Sequence, residues 1–306
     1  MKDLHAQVPM GRLCGLFGKS RQAFYQRQQV IYEHAFEEHM IISQVQRIRQ
    51  RQPRIGGRKL MYLLDKQGIK LGRDALFDLL RSNGLLVRRR RNGTRTTNSH
   101  HWLRKYPNLI RHFEPSGPHQ LWVSDITYLE TTEGFLYLFL ITDAYSKKIL
   151  GYRLADNLEA DNAVEALELA LKTMKADCTG LAHHSDRGVQ YCSDKYIRAL
   201  SQRNIAISMT ENGDPLENAI AERVNGILKD EWLYEMGKMD KCAMRKTITQ
   251  IIHIYNHERP HLSLNMQTPN EACKSEEKLI RLWKNYYRPS VRPKESDQVF
   301  PQSHTY

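Results

Sequence analysis

The apolar run FLYLFLIT at 135–142 is the feature that most constrains this chain. Eight residues is a strand's length, well short of a membrane span, so the run reads as a buried strand. It has strand-like neighbours on both sides. LWVSDITYL at 121–129 precedes it across a turn-like TTEG, and KKILGYRLAD follows it. Beyond these three strands the pattern alternates. EADNAVEALELALKTMK is helical, GLAHHS a short strand, DKYIRALSQRN a helix, IAISMT a strand and PLENAIAERVNGILKDEW a helix. Adjacent strands followed by alternating helix and strand describe a mixed sheet covered by helices, an α/β fold.

The front of the chain is all helical. In VPMGRLCGLFGKSRQAFYQRQ at 8–28, Leu13, Leu16 and Phe17 give an apolar face and Gly18 a turn. Ser20 is an N-cap for the helix that follows, which puts Arg21, Gln22 and Tyr25 at the start of a DNA-reading helix. EHMIISQVQRIRQ, GGRKLMYLLDKQG and GRDALFDLLRSNGLL form a second helical module, with Arg58, Lys59 and Arg73 as further DNA contacts. That module ends in Arg88, Arg89, Arg90 and Arg91, a run suited to phosphate contact without sequence preference. The expected divisions are a helix-turn-helix at 1–30, a second DNA-binding module at 31–91 and a linker at 92–118. A catalytic core at 119–275 and a C-terminal helix with a loose tail at 276–306 complete them.

Charge is segregated in the same way. Residues 1–112 carry 23 Lys/Arg against 7 Asp/Glu, and residues 113–306 carry 23 against 27, giving +16 and −4 within a net +12. A polyanion-gripping front and an acid-bearing back follow from that split. Five scattered cysteines without a CxxC pair fit a reducing cytoplasm. No signal-peptide layout and no membrane-length apolar run are present.

Three acids stand out by context. Asp125 interrupts an apolar strand, Asp186 follows an apolar-to-polar segment (GLAHHSDRGVQY), and Glu222 lies on the polar side of a two-sided helix. A carboxylate in apolar surroundings is costly, and a hard cation offsets that cost; oxygen-only ligation points to Mg²⁺, with Mn²⁺ as the alternative. Along the last helix, Leu216, Ile220, Val224 and Ile227 share one stripe, and Asn218, Glu222, Asn225 and Lys229 fall opposite. Asp214, Pro215 and Glu217 look like its cap. Asp143 reads instead as a turn cap, and His183 and His184, without HxxxH or cysteine partners, read as structural.

WVSDITY (122–128), HSDRGVQY (184–191) and ENAIAERVNGILKDE (217–231) resemble the three acidic motifs of the DDE transposase and retroviral-integrase superfamily. More narrowly they resemble the second-frame (B) product of a bacterial insertion sequence. YNHERPHLSLNMQTPNEA (255–272) is similar to that family's YN-x-x-RPH-x-x-L…TP signature, and residues 33–98 to its second helix-turn-helix module. Two Mg²⁺ ions suit in-line attack at phosphorus, with Asp125 expected to bridge both and Asp186 and Glu222 each to hold one. Asn218 and Asn225, on the same helix face as Lys229, are expected DNA contacts. The resemblance implies a ribonuclease-H-like core with Asp125, Asp186 and Glu222 as metal ligands, and that Lys229 contacts transposon-end DNA. It further implies cleavage at terminal inverted repeats and 3′-hydroxyl strand transfer into target DNA. The chain would act as a homo-oligomer on bacterial nucleoid DNA in the cytoplasm, with an upstream-frame partner or fusion. Arg223 and Val224 stand where the family often has aromatics after the glutamate, and the zinc-binding His/His/Cys/Cys module of the viral relatives is absent. A hydrolytic nuclease and a non-catalytic DNA-binding regulator are the competing readings; the duplicated helical front argues against the first, the three intact motifs against the second.

Overall fold

A computed structural model describes residues 7–88, 103–111, 113–174, 178–211 and 218–275. The chain divides into two compact units, one ending at Val87 and the other holding the sheet.

In the helical unit, α1 (Met10–Leu16) turns through Gly18, whose φ of +64° a side chain would strain, into α2 (Arg21–Arg51). Ser20 caps α2 as expected, its hydroxyl accepting from the Ala23 amide at 3.0 Å. The short reading helix does not form. α2 runs for 31 residues, and the division expected between 30 and 31 falls inside it. No glycine or proline lies between Gly18 and Pro53 to stop it. Val45 near its far end packs with Leu60 and Leu64 of α3 (Gly57–Lys66) and Leu76 and Leu80 of α4 (Arg73–Ser82). Gly57 sits against the Phe77 ring, where an added Cβ would come within 2.7 Å, so that glycine is what lets α3 and α4 close.

In the second unit, β1 (Leu121–Thr131), β2 (Gly134–Asp143) and β3 (Ile149–Ala155) form an antiparallel meander. β4 (Ala182–Ser185) and β5 (Ala206–Met209) extend it in parallel, giving the order β3-β2-β1-β4-β5. β2 is apolar throughout because both of its faces are covered. Phe139 and Ile141 point into one core with α5 (Ala160–Leu171) and α6 (Asp194–Ser201); Leu136, Leu138 and Leu140 point into the other. That second core is closed by α7 (Ala219–Leu228), a π-helical turn (Lys229–Leu233) and α9 (Lys241–His257); the short α8 (Tyr234–Met236) between the last two is exposed. The final described helix is α10 (Pro269–Lys274). α5 lies so close on β3 that a Cβ at Gly151 would stand 2.1 Å from the Ala166 carbonyl. A mixed sheet in this order with helices on both faces is the ribonuclease-H-like fold.

The expected linker is shorter than 92–118. Leu103 and Tyr106 pack on the α5–α6 core, and the segment is tied to β5 by Leu109 N–H to Ser208 Oγ (2.9 Å) and Arg111 to Glu211 (2.8 Å). Its isolated apolar residues are hidden among polar ones, so composition alone reads it as a linker. The expected C-terminal helix and tail at 276–306 lie outside the described residues.

Candidate active site

Asp125 sits mid-way along β1, opposite Leu140, on the face that α7 covers. Its Oδ1 accepts from the Ile126 amide (2.9 Å) and its Oδ2 from the Asn225 side-chain amide (2.8 Å). Those two bonds are outweighed. Burial, then the charge of Asp186, then that of Glu222 push the carboxyl up to about 7. Asp186 follows β4, the parallel neighbour of β1, so strand pairing carries it to the same end of the sheet. Its Oδ1 accepts from the Gly188 amide at 3.0 Å, and a Cβ on Gly188 would stand 3.0 Å from that oxygen. Glu222 is exposed in the first turn of α7. Asp186 and Glu222 are thus both within electrostatic reach of Asp125. The three do not form a closed set: among the described residues, no three His, Cys, Asp or Glu side chains lie close enough to hold a metal ion as they stand.

The donor set still fits a hard cation. Every candidate ligand is oxygen, and a carboxyl held near 7 by desolvation and by neighbouring anions is one that a divalent ion would ionise. Two buried amide oxygens beside it, Asn218 Oδ1 and Asn225 Oδ1, lack a hydrogen-bond partner. Buried acceptors of this kind suit the waters that Mg²⁺ retains.

Asn218 and Asn225 are displaced from their expected DNA-facing role. Both are buried, and their NH₂ groups are spent on protein: Asn218 on the Ser124 carbonyl (3.0 Å), Asn225 on Asp125. Helical periodicity put them on the polar face correctly, but that face looks at β1. Lys229 follows Asn225 by one turn on the same side of the helix. Burial lowers its pKa, and the Asp125 charge partly counters this. The expected cap at Asp214, Pro215 and Glu217, with Leu216, lies outside the described residues.

Beneath the site, His183 Nε2 meets Ser124 Oγ (2.6 Å) and Tyr196 Oη (2.9 Å), and burial lowers the imidazole to about 3. His184 Nδ1 meets Ser208 Oγ at 2.8 Å. Both histidines are structural, as read. Sequence reasoning missed Tyr191, whose buried phenol is raised by burial first, then by Tyr196, Asp186 and Asp125. Its place five residues after Asp186 gave no independent signal.

Of the remaining DNA-contact expectations, Arg21, Gln22, Tyr25, Arg58, Arg73 and Arg88 are exposed, with the Arg21 guanidinium over the Tyr25 ring. Lys59 is buried in α3, because its position falls between Arg58 and Leu60 on the inward side, and it does not present a surface cation. Arg89, Arg90 and Arg91 lie outside the described residues. Among the described residues no helix is long and apolar enough to cross a membrane.

Known proteins align with this arrangement. Two integrase core domain families match residues 115–215 and 203–269. The 31 kDa protein of insertion element IS600 from Shigella sonnei is 35% identical over 264 residues, covering 84% of this chain and 96% of that protein. Transposase InsF for insertion sequence IS3A from Escherichia coli K12 is 30% identical over 265 residues, covering 84% and 91%. The HTLV-2 integrase catalytic core domain in complex with magnesium aligns at 16% identity and a TM-score of 0.41, covering 51% of this chain and 97% of that one. Identity of this order across nearly the full length of the relatives decides the family: the chain belongs to the integrase-core transposases of bacterial insertion sequences.

Proposed function

We propose that Asp125, Asp186 and Glu222 hold two divalent cations, Mg²⁺ or Mn²⁺, for cleavage of transposon-end DNA and strand transfer of the freed 3′-hydroxyl into target DNA. The observation that carries this is the Asp125 carboxyl, half-buried mid-strand and pushed up to about 7 by desolvation first and then by Asp186 and Glu222, two acids distant in sequence. When bound, the cations supply charge stabilisation at phosphorus and a more acidic nucleophile hydroxyl. Asn225 orients Asp125 by donating to its Oδ2, and the Gly188 amide orients Asp186. The Ser124–His183–Tyr196 cluster supports β1 and β4 from below without adding charge, since His183 stays neutral. Lys229 meets a phosphate of the end DNA beside Asp125.

The helical unit would hold the terminal inverted repeats, with Arg21, Gln22 and Tyr25 on bases and Arg58, Arg73 and Arg88–Arg91 on phosphates. The substrate is bacterial double-stranded DNA in the cytoplasm, at the nucleoid. Both element ends must be held at once, which calls for a homo-oligomer, and an upstream-frame product is the further partner proposed. A supercoiled plasmid, a labelled end oligonucleotide and Mg²⁺ test the reading. Joined products support it; end cleavage without joining would make the chain a nuclease, and binding without cleavage a regulator.

A further inference from the structure

The segment 255–272, YNHERPHLSLNMQTPNEA, has no part in the chemistry described so far. Structurally it is a clamp. Arg259 makes a two-pronged pair with Glu231, Nε to Oε2 at 2.7 Å and an Nη to Oε1 at 2.6 Å, and its other Nη lies 2.7 Å from His261 Nε2. The guanidinium stands over the Tyr255 ring and is only 2% exposed. Tyr255 Oη donates to the Lys147 carbonyl (2.9 Å), and the Asn256 amide bonds both the N–H and the C=O of Ile149 at the start of β3. The clamp is thereby fixed to the sheet.

Its other jaw is the π turn. The buried stripe of α7 at Val224, Ile227 and Leu228 resumes at Trp232 and Leu233, five residues on instead of four. A plain α-helix would swing position 231 onto that stripe and drive the Glu231 carboxylate into an aliphatic core. The wider turn keeps Trp232 and Leu233 inside and leaves Glu231 facing Arg259. Turns of this kind cost regular hydrogen bonding and persist where surrounding contacts enforce them, often at functional sites. Lys229 is the first residue of the turn, one helical turn past the Asn225 that holds Asp125.

We infer that Arg259 is a positioning residue for the reaction: by gripping Glu231 it holds the π turn, and the turn sets where the Lys229 ammonium stands beside Asp125. The inference rests on the reading of Asp125 and Lys229 as parts of one reactive site. A packing role alone would lower stability and leave Lys229's contribution intact. A positioning role makes the effects of Arg259 and Lys229 interdependent.

The full chain tests this with Arg259→Gln, Lys229→Ala and the double variant, reading strand-transfer rate, end-DNA affinity and melting temperature. Each single variant is expected to slow strand transfer by about tenfold or more, and the double to be no slower than Lys229→Ala within about twofold. Arg259→Lys, which keeps the charge and loses the fork, should recover part of the rate. If Arg259→Gln does not fold, the Arg259→Lys and Lys229→Ala pair runs the same cycle. Equal losses from the Arg259 substitution in both backgrounds would overturn the inference, as would a normal rate in Lys229→Ala. Failure of the active-site reading shows separately, as strand transfer surviving Asp125→Asn.

Discussion

Asp125 and Asp143 stand on paired strands, Asp143 buried and Asp125 half-buried, and the groups around them differ in kind. Asp143, at the end of β2, receives the Ser146 amide (2.7 Å) and hydroxyl (2.6 Å) on one oxygen and the His119 amide (2.8 Å) on the other. Those three donors fix it in place, and it closes the turn into β3. Asp125 receives two donors and faces two other acids. Asp143 is satisfied by donors of its own protein; Asp125 faces like charge. The more deeply buried of the two is the one with the fuller set of donors.

The comparison breaks most sharply by substitution. Asp125→Asn should reduce strand transfer by about a thousandfold or more, the scale of losing several kcal/mol of metal-borne charge stabilisation, with end binding retained. Melting temperature should hold or rise, because a repelled anion is removed. Asp186→Asn and Glu222→Gln should share the loss of chemistry. Asp143→Ala should do the reverse, costing about 3 kcal/mol in denaturant unfolding through three lost bonds to a buried side chain. Should Asp143→Ala leave stability alone, the contrast between the two corners is wrong.

pH sharpens the contrast. Asp125 has its native pKa raised from 3.8 to about 7, so across that window the folded chain holds a proton that the unfolded chain has released. Its contribution to metal-free stability is therefore greatest below the unfolded value and falls as pH rises through about 7. Thermal melts at stepped pH, with and without Mg²⁺, should show the slope and its removal by the ion. A smaller effect belongs to Asn225→Ala, which deletes one donor to Asp125: the acidic limb of the strand-transfer pH profile should move upward, with end affinity unchanged. Smallest is the control that touches neither corner. Arg88→Ala should weaken binding to every sequence alike and lower the salt slope by about one.

Much of this was legible in the residues. The strands, their order of appearance and α5, α6 and α7 follow from hydrophobic period, and the settings of the three acids are what raise the site proposed for them. Asp143 was separable by its turn-forming DAYSKK context. What escaped had tertiary causes. Nothing local stops or extends α2, so its length depends on an absence of breakers spread over thirty residues. The polar side of α7 was visible, but only packing on β1 shows that Asn218 and Asn225 face inward. The π turn appears as a one-residue slip in an apolar stripe, from 227 and 228 to 232 and 233, legible once Arg259 supplies a partner for Glu231. The Leu103–Phe113 strap was hidden because its few apolar residues are diluted by polar ones.

The most direct test is anomalous diffraction from crystals of the chain bound to end DNA in Mn²⁺. The account predicts ion peaks about 2.2 Å from oxygens of Asp125, Asp186 and Glu222, with Asp125 shared. Mn²⁺ bound elsewhere, or Glu222 left outside a site formed by the other two, would contradict it.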